Sequence, residues 1–341
     1  MAVRVGFVGV GARSRVEMRD LLKIPDAQIS AFTDVNPSRC QETLDWLNTQ
    51  RDGQSPSQVS FFADVHDMLR NGDVDAVYVS LPPAAHGAIE HAIIDARKAL
   101  FVEKPLATTM VVAREIEQHL RAAGTVCSVG YQFRYIDAMQ YARQLLIGVP
   151  IGLVMAIRLG GLPGTPWWRV QELSGGMLIE QHTHAVDLMR FLAGDVTAVS
   201  AFANTTLLNN VENLDIADVS SATCRFANGA VGSIINTCAA PQGGPDNLSG
   251  PVHIVADGMT ISAAPTAVRI LRADKTTEEV KATTTGNLEM NHAFIQAVKT
   301  GDSSGIRSPY ADALKTLEVT YAAHLSSTRG GSMIDLTTAY E

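Results

Sequence analysis

Val5-Gly6-Phe7-Val8-Gly9-Val10-Gly11-Ala12-Arg13-Ser14-Arg15 decides the fold. A short apolar strand runs into Gly9-Val10-Gly11, and the next apolar run, Ile29-Ser30-Ala31-Phe32-Thr33, ends on an acid, Asp34. This is the layout of a dinucleotide-binding βαβ unit. Gly9 permits the tight turn, Gly11 lets the backbone approach a pyrophosphate at a helix N-terminus, and the carboxylate receives the adenosine ribose. The third glycine of the fingerprint is replaced by Ser14, small enough for close helix packing. A glycine triplet alone carries little; strand before, helix after and an acid twenty residues beyond Ser14 supply the context that the motif requires.

Working outward, strand and helix alternate. The helix Ser38-Arg39-Cys40-Gln41-Glu42-Thr43-Leu44 onward is followed by the strand Val59-Ser60-Phe61-Phe62 and a short helix capped by Asp64. The strand Val74–Leu81 stops at Pro82-Pro83, a helix runs from His86 to Ala99, and Leu100–Leu106 is the next strand. Gly124 then caps a helix that begins at Met110, and Thr125–Gly130 completes about six parallel strands. The fold class is α/β, a doubly wound parallel sheet over residues 1–130. Residues 131–341 follow another grammar. Helices near 138–148 and 177–194 flank a strand, Gly152–Gly160; consecutive strands follow, with a hairpin turn at Asn228-Gly229, and two helices close the chain. This predicts an α+β domain with a mostly antiparallel open sheet.

Composition narrows the function. The chain has 341 residues, comfortable for two domains, and a formal net charge of -8, which argues against nucleic acid or an anionic membrane as the main partner. No apolar run approaches the roughly twenty residues that span a bilayer, and the first strand, broken by glycines and followed by Arg13 and Arg15, does not read as a secretory signal, so cytoplasm is the expected compartment. Cys40, Cys127, Cys224 and Cys238 lack metal-ligand spacing and read as buried free thiols.

Two further stretches carry chemistry. Glu103-Lys104-Pro105 ends the fifth predicted strand, at the carboxyl edge where open α/β sheets bind ligands. Proline holds the preceding Lys104 extended. Its ammonium is either aimed at the crevice or simply solvated. In Glu180-Gln181-His182-Thr183-His184-Ala185-Val186-Asp187, helical spacings of four and three place Glu180, His184 and Asp187 on one face, with His182 pointing elsewhere. A carboxylate one turn from an imidazole fixes its tautomer and raises its basicity, as an acid/base site requires. The rivals are a cluster satisfying the helix N-terminus and a metal site, the latter without a third histidine or a cysteine at recognisable spacing, so no metal is expected.

Together the Gly9/Gly11 turn, Asp34, Glu103-Lys104-Pro105, the run Gly130-Tyr131-Gln132-Phe133-Arg134-Tyr135, Trp168-Arg169, Gly175-Gly176 and His184-x-x-Asp187 resemble the Gfo/Idh/MocA oxidoreductases over nearly the whole chain. The resemblance implies a Rossmann domain with NAD(P) and a second domain whose open sheet mediates homodimer or homotetramer contacts. It implies oxidation or reduction of a secondary alcohol on a sugar, sugar derivative or cyclic polyol. Carried over residue by residue, the catalytic group is Lys104, Glu180 and His184, with Glu180 standing where the inositol dehydrogenase branch has Asp. His184 takes the hydroxyl proton, Lys104 hydrogen-bonds the same oxygen, and Glu180 orients His184. The cofactor set is Gly9, Gly11, Ala12, Arg13, Asp34, Leu81, Pro82, His86, Glu103 and Lys104. The substrate set is Lys104, Arg134, Trp168, Arg169, Glu180, His184 and Asp187. Asp187 is read as a substrate contact or the partner of a nearby base, Trp168 as a stacking face or loop packing, and His86 as a cofactor neighbour or a helix cap. NAD is expected over NADP because a 2'-phosphate would meet the Asp34 carboxylate, although Arg13 and Arg39 are near enough in sequence to pair with a phosphate. The other class within the family keeps NAD+ bound and cleaves a glycoside by transient sugar oxidation; the glycine- and histidine-rich run of one such branch is absent here.

Overall fold

In the first unit, short apolar runs become strands because their side chains are buried on both faces. The computed structural model describes residues 1–51, 58–241 and 252–337. The strands are β1 (Val3–Val8), β2 (Ala27–Thr33), β3 (Ser60–Phe61), β4 (Ala76–Val79), β5 (Ala99–Val102) and β6 (Cys127–Val129), in the order β3-β2-β1-β4-β5-β6. Every pairing is parallel. That is the Rossmann order, in which the crevice for a ligand lies beyond the carboxyl ends of the strands where the order reverses, at β1 and β4.

Two units divide the chain: Met1–Ala107, Val111–Gln132 and Gly286–Asp312 form the first, and Thr108–Met110, Phe133–Thr285 and Ala313–Glu341 the second. A single boundary near Gly130 therefore misassigns one helix, Asn287–Thr300, which returns to the first unit. The reason is packing. Phe294, fully buried, meets Tyr78 and Phe101 edge-on at 5.5 and 5.6 Å, and Asn291 accepts from the Tyr78 hydroxyl at 2.7 Å. Burying one such aromatic side chain contributes roughly 1.5–3 kcal/mol.

The second unit holds β7 (Ile151–Leu159), β8 (Val196–Asn204), β9 (Val219–Phe226), β10 (Val231–Thr237), β11 (Val252–Ala256), β12 (Met259–Ala264), β13 (Ala267–Arg272), β14 (Thr277–Lys281) and β15 (Ile334–Asp335). They form one sheet in the order β14-β13-β12-β11-β7-β10-β9-β8-β15, antiparallel except for β7 against β10. Asn228-Gly229 makes the β9–β10 turn, with Gly229 at φ 89°. The run from Val252 to Ile261 is two strands, because Gly258 at φ 69° turns the chain, and β14 and β15 are edge strands too short or polar to stand out in sequence. One face carries the core: Val154 and Ala156 of β7, Ala222 of β9, Ile234 of β10 and Ile254 of β11 pack with Val186 and Met189 of the helix Thr183–Ala193. The other face exposes Phe202, Val231, Ile235, Val255 and Leu271. Among the described residues no helix is long and apolar enough to cross a membrane.

Candidate functional site

At the β1 turn, Gly9 sits at φ 79°, and a Cβ there would lie 2.4 Å from the Ser80 carbonyl oxygen of the neighbouring strand end. Only glycine fits. Ser14, in place of the third glycine, is buried and donates its hydroxyl to the Gly9 carbonyl at 2.5 Å, so it locks the turn to the helix. Gly11 precedes the helix Ala12–Leu21, and a Cβ built on it meets nothing within 4 Å. The space above Gly11 is open, and the first N–H groups of the helix, from Ala12 onward, have no intrahelical acceptor. That combination suits a pyrophosphate. Asp34, its side chain 5% exposed, accepts from the Val10 N–H at 3.0 Å and the Asn36 N–H at 2.9 Å, which leaves acceptor capacity on a carboxylate fixed beside the turn. Arg39 lies 3.9 Å from it. Leu81 and Pro82 follow β4 at the same carboxyl edge, and Leu81 packs against the Gly9 position. These residues fit a nicotinamide dinucleotide with a free 2'-hydroxyl.

The guanidinium of Arg13 is committed elsewhere. Its Nε donates to Glu103 at 2.7 Å, its Nη2 donates to Asn287 at 3.2 Å, and it pairs with Glu17 one helical turn on. So Arg13 is not a side-chain partner for a 2'-phosphate; only its backbone N–H remains for the cofactor. Two carboxylates face one guanidinium here, and burial pushes Glu17 up to about 8, against the pull of Arg13. Glu103 is buried too, its carboxylate lying against Gly130, where a Cβ would come within 2.6 Å. Glu103 is thus a structural anchor under the strand end that presents Lys104, which follows β5 and precedes a cis peptide to Pro105. His86 is buried as well: its Nδ1 meets Glu90 at 2.5 Å, and Glu90 accepts from the Gly87 N–H at 2.6 Å. Burial alone raises the Glu90 carboxyl; His86 and Gly87 outweigh it and hold it low. His86 therefore locks the start of the helix Ala88–Asp95.

In the second unit the face predicted for Glu180, His184 and Asp187 is not one helix. Met177–Glu180 is a single turn, the His182 N–H reaches back five residues to the Met177 carbonyl, and a new helix starts at Thr183. Gly175 and Gly176, both at positive φ, bring the chain sharply into that turn. Glu180 is buried and accepts from the Gln181 amide. His184, half-buried at the start of the second helix, stacks at a tilt on Phe133 with ring centres 5.1 Å apart. His182 is fully buried with Nε2 on the Ala156 carbonyl at 3.3 Å, and burial pushes it down to about 4.

Arg134 is corrected as a substrate contact, and Asp187 takes the second of its two readings, the partner of a nearby base. Arg134 grips Asp187 through two bonds, Nε at 2.8 Å and Nη2 at 2.6 Å, Thr316 donates to the same carboxylate at 2.9 Å, and both side chains are at most 5% exposed. A buried bidentate pair whose carboxylate accepts three hydrogen bonds from within the protein is internal architecture. Arg169 turns into its own loop, Nε and Nη2 donating to the Pro163 carbonyl at 3.3 and 3.2 Å. Trp168 meets Trp167 edge-on, with ring centres 5.6 Å apart, on the short helix Pro166–Arg169. A cavity of about 40 Å³ bordered by Gly175, Gly176 and Asn236 is too small for a sugar. Arg158, absent from the sequence-predicted set, ends β7 on its core-facing side, within electrostatic reach of Glu180. The signal was available: Val154, Ala156 and Arg158 alternate on the buried face, and an arginine there is out of place.

Residues 3–131 match the Gfo/Idh/MocA oxidoreductase family, NAD-binding Rossmann fold, and residues 138–257 match the family's C-terminal domain. The chain belongs to this family. As a Gfo/Idh/MocA oxidoreductase it is an NAD-binding enzyme. It is 25% identical over 244 residues to a myo-inositol 2-dehydrogenase of Thermotoga maritima, covering 71% of this chain and 70% of that one. It is likewise 25% identical over 249 residues to an NAD(+)-dependent scyllo-inositol 2-dehydrogenase of Bacillus subtilis, covering 71% and 69%. Among solved structures, a levoglucosan dehydrogenase in complex with NADH and levoglucosan superposes with a TM-score of 0.83 at 20% identity, over 98% of this chain and 100% of that one. An oxidoreductase from Thermotoga maritima gives 0.82 at 20% identity over 99% and 100%.

Proposed function

We propose that the protein is an NAD-dependent dehydrogenase or reductase of a secondary alcohol on a sugar or cyclic polyol. The observation that carries it is the open space above Gly11, at a helix N-terminus and beside an anchored Asp34. Family membership, and relatives named for inositols and levoglucosan, support the substrate class. Gly9, Gly11, Ala12 and the Arg13 backbone hold the pyrophosphate, and Asp34 receives the adenosine ribose, favouring NAD over NADP. Bound NAD supplies the hydride acceptor or donor.

The protein's own groups handle the proton. His184 takes it from the substrate hydroxyl at Nε2, since Nδ1 is buried. Lys104 donates a hydrogen bond to that oxygen and stabilises the developing alkoxide. Glu180 orients His184. The exposed apolar residues of the second sheet serve a homodimer or homotetramer, which sedimentation velocity tests.

The experiment is a screen of sugars, inositols and their keto forms, read by NADH absorbance in both directions. Lys104→Ala and His184→Asn each lower turnover at least about 100-fold with NAD+ affinity largely intact. In wild type kcat/KM rises with pH as the general base loses its proton, and His184→Asn abolishes that limb. An unchanged profile in the variant removes His184 from proton transfer. Product release without net NADH moves the protein to the glycoside-cleaving class.

A further inference from the structure

Three arginines of the second unit close on carboxylates: Arg134 on Asp187 at 2.6 Å, Arg190 on Asp195 at 2.6 Å and Arg272 on Glu278 at 2.7 Å. Arg158 does not. Among the described residues its guanidinium makes one hydrogen bond, a long one from Nη1 to the Thr237 carbonyl at 3.4 Å, and no ion pair. Its position is nevertheless built. The guanidinium lies across Gly160, where a Cβ would fall 2.5 Å from Nη1 and 2.7 Å from Cζ, so any larger residue displaces it. With Nη1 tethered and the plane resting on the Gly160 backbone, Nε and Nη2 keep their donors for something else.

The surroundings say what that is. Glu180 and Cys238 are the groups whose charge Arg158 feels, and burial pushes the Cys238 thiol up, so Glu180 is the counter-charge at neutral pH. His182, pushed down to about 4, is neutral there. Burial also holds the guanidinium below the ordinary arginine range, a cost that an arriving anion offsets. We propose that Arg158 receives an oxyanion of the substrate, a carboxylate or a phosphate, in the planar two-donor manner of a guanidinium, which makes the substrate an acidic sugar or polyol derivative. This rests on the proposed dehydrogenase reading, because the Glu180–His184 segment is what gives a ligand at Arg158 its chemistry.

The test uses the full chain loaded with NAD+ and matched probes: D-glucuronate and D-glucose 6-phosphate against D-glucose, and D-gluconate against D-glucitol. Both NADH formation and equilibrium binding by calorimetry are read. The acidic member of at least one pair is expected to bind about 10-fold or more tightly, the carboxylate and phosphate arms separating the two sources. Arg158→Met should weaken that member by about 10- to 100-fold while the neutral member and NAD+ change little, the scale of a charge-assisted bidentate contact. Arg158→Lys should recover part of the loss, and Gly160→Ala, which displaces the guanidinium without removing it, should mimic Arg158→Met. Equal binding of acidic and neutral members, a wild type that binds no acidic probe, or an Arg158→Met variant that binds acids normally overturns the proposal. Arg158-dependent binding without NADH formation from any probe keeps it and overturns the dehydrogenase reading; NADH formation from the probes with acid binding unchanged in Arg158→Met does the reverse.

Discussion

The turn from Gly9 to Ser14 and the stretch from Gly175 to Asp187 were both read as functional from their residues, and they end differently. At the turn the important contacts are backbone geometry: a positive φ, a carbonyl 2.4 Å from where a Cβ would be, an open face above Gly11. In the second stretch the important contacts are made by long side chains, and partners far along the chain decide their use. Asp187 goes to Arg134, 53 residues away, and to Thr316, 129 residues away. A motif that works through its own backbone is legible locally; one whose side chains choose partners is not.

The strongest way to break this comparison is Arg134→Met. If the Arg134–Asp187 pair is architecture, the variant leaves a buried carboxylate unmatched and loses about 3–5 kcal/mol in chemical denaturation, while Arg134→Met combined with Asp187→Leu regains much of it. A stable Arg134→Met protein with impaired substrate binding would return the pair to the substrate.

His182 sharpens the contrast next. Its unfolded imidazole binds a proton near 6.5 and its folded one only at about 4, so between those values the unfolded chain holds more protons. Stability is whole above pH 6.5 and falls as pH drops toward 4, by about 3 kcal/mol in all. Unfolding free energy measured across that window should show the slope, and His182→Gln should remove its histidine component; an identical slope in the variant places the sensitivity elsewhere.

The two glycines of the turn give the smallest stability effects and the cleanest division. Gly9→Ala meets both the strained φ and the Ser80 carbonyl, and should cost about 2 kcal/mol. Gly11→Ala enters open space at an ordinary φ of -76°, and should change stability by no more than about 0.5 kcal/mol while weakening NAD+ about 10-fold or more. Equal NAD+ affinity in Gly11→Ala would mean that the pyrophosphate does not approach that backbone.

By itself the sequence determined the parallel sheet of the first unit, its glycine turn and its acid, because strand period, turn chemistry and helix caps act over a few residues. It also determined the antiparallel character of the second unit and the hairpin at Asn228-Gly229. Tertiary structure alone decided the rest. The helix Asn287–Thr300 has an apolar face that any sheet would bury, and partners distant in sequence assign it to the first unit: the Tyr78 and Phe101 rings, the hydrogen bond from Tyr78 to Asn291, and the bonds of Arg13 to Asn287 and of Gln296 and Lys299 to Asp26. The break after Glu180 follows from the wide turn onto the Met177 carbonyl, which helical spacing does not foresee. Arg13, Arg134 and Arg169 were all read as ligand contacts and all spend two donors on acceptors within the protein, whereas Arg158 makes a single long hydrogen bond to the Thr237 carbonyl. A charged group is settled by whatever opposite charge or lone pair the folded chain brings within about 3 Å, and sequence order carries no record of that distance.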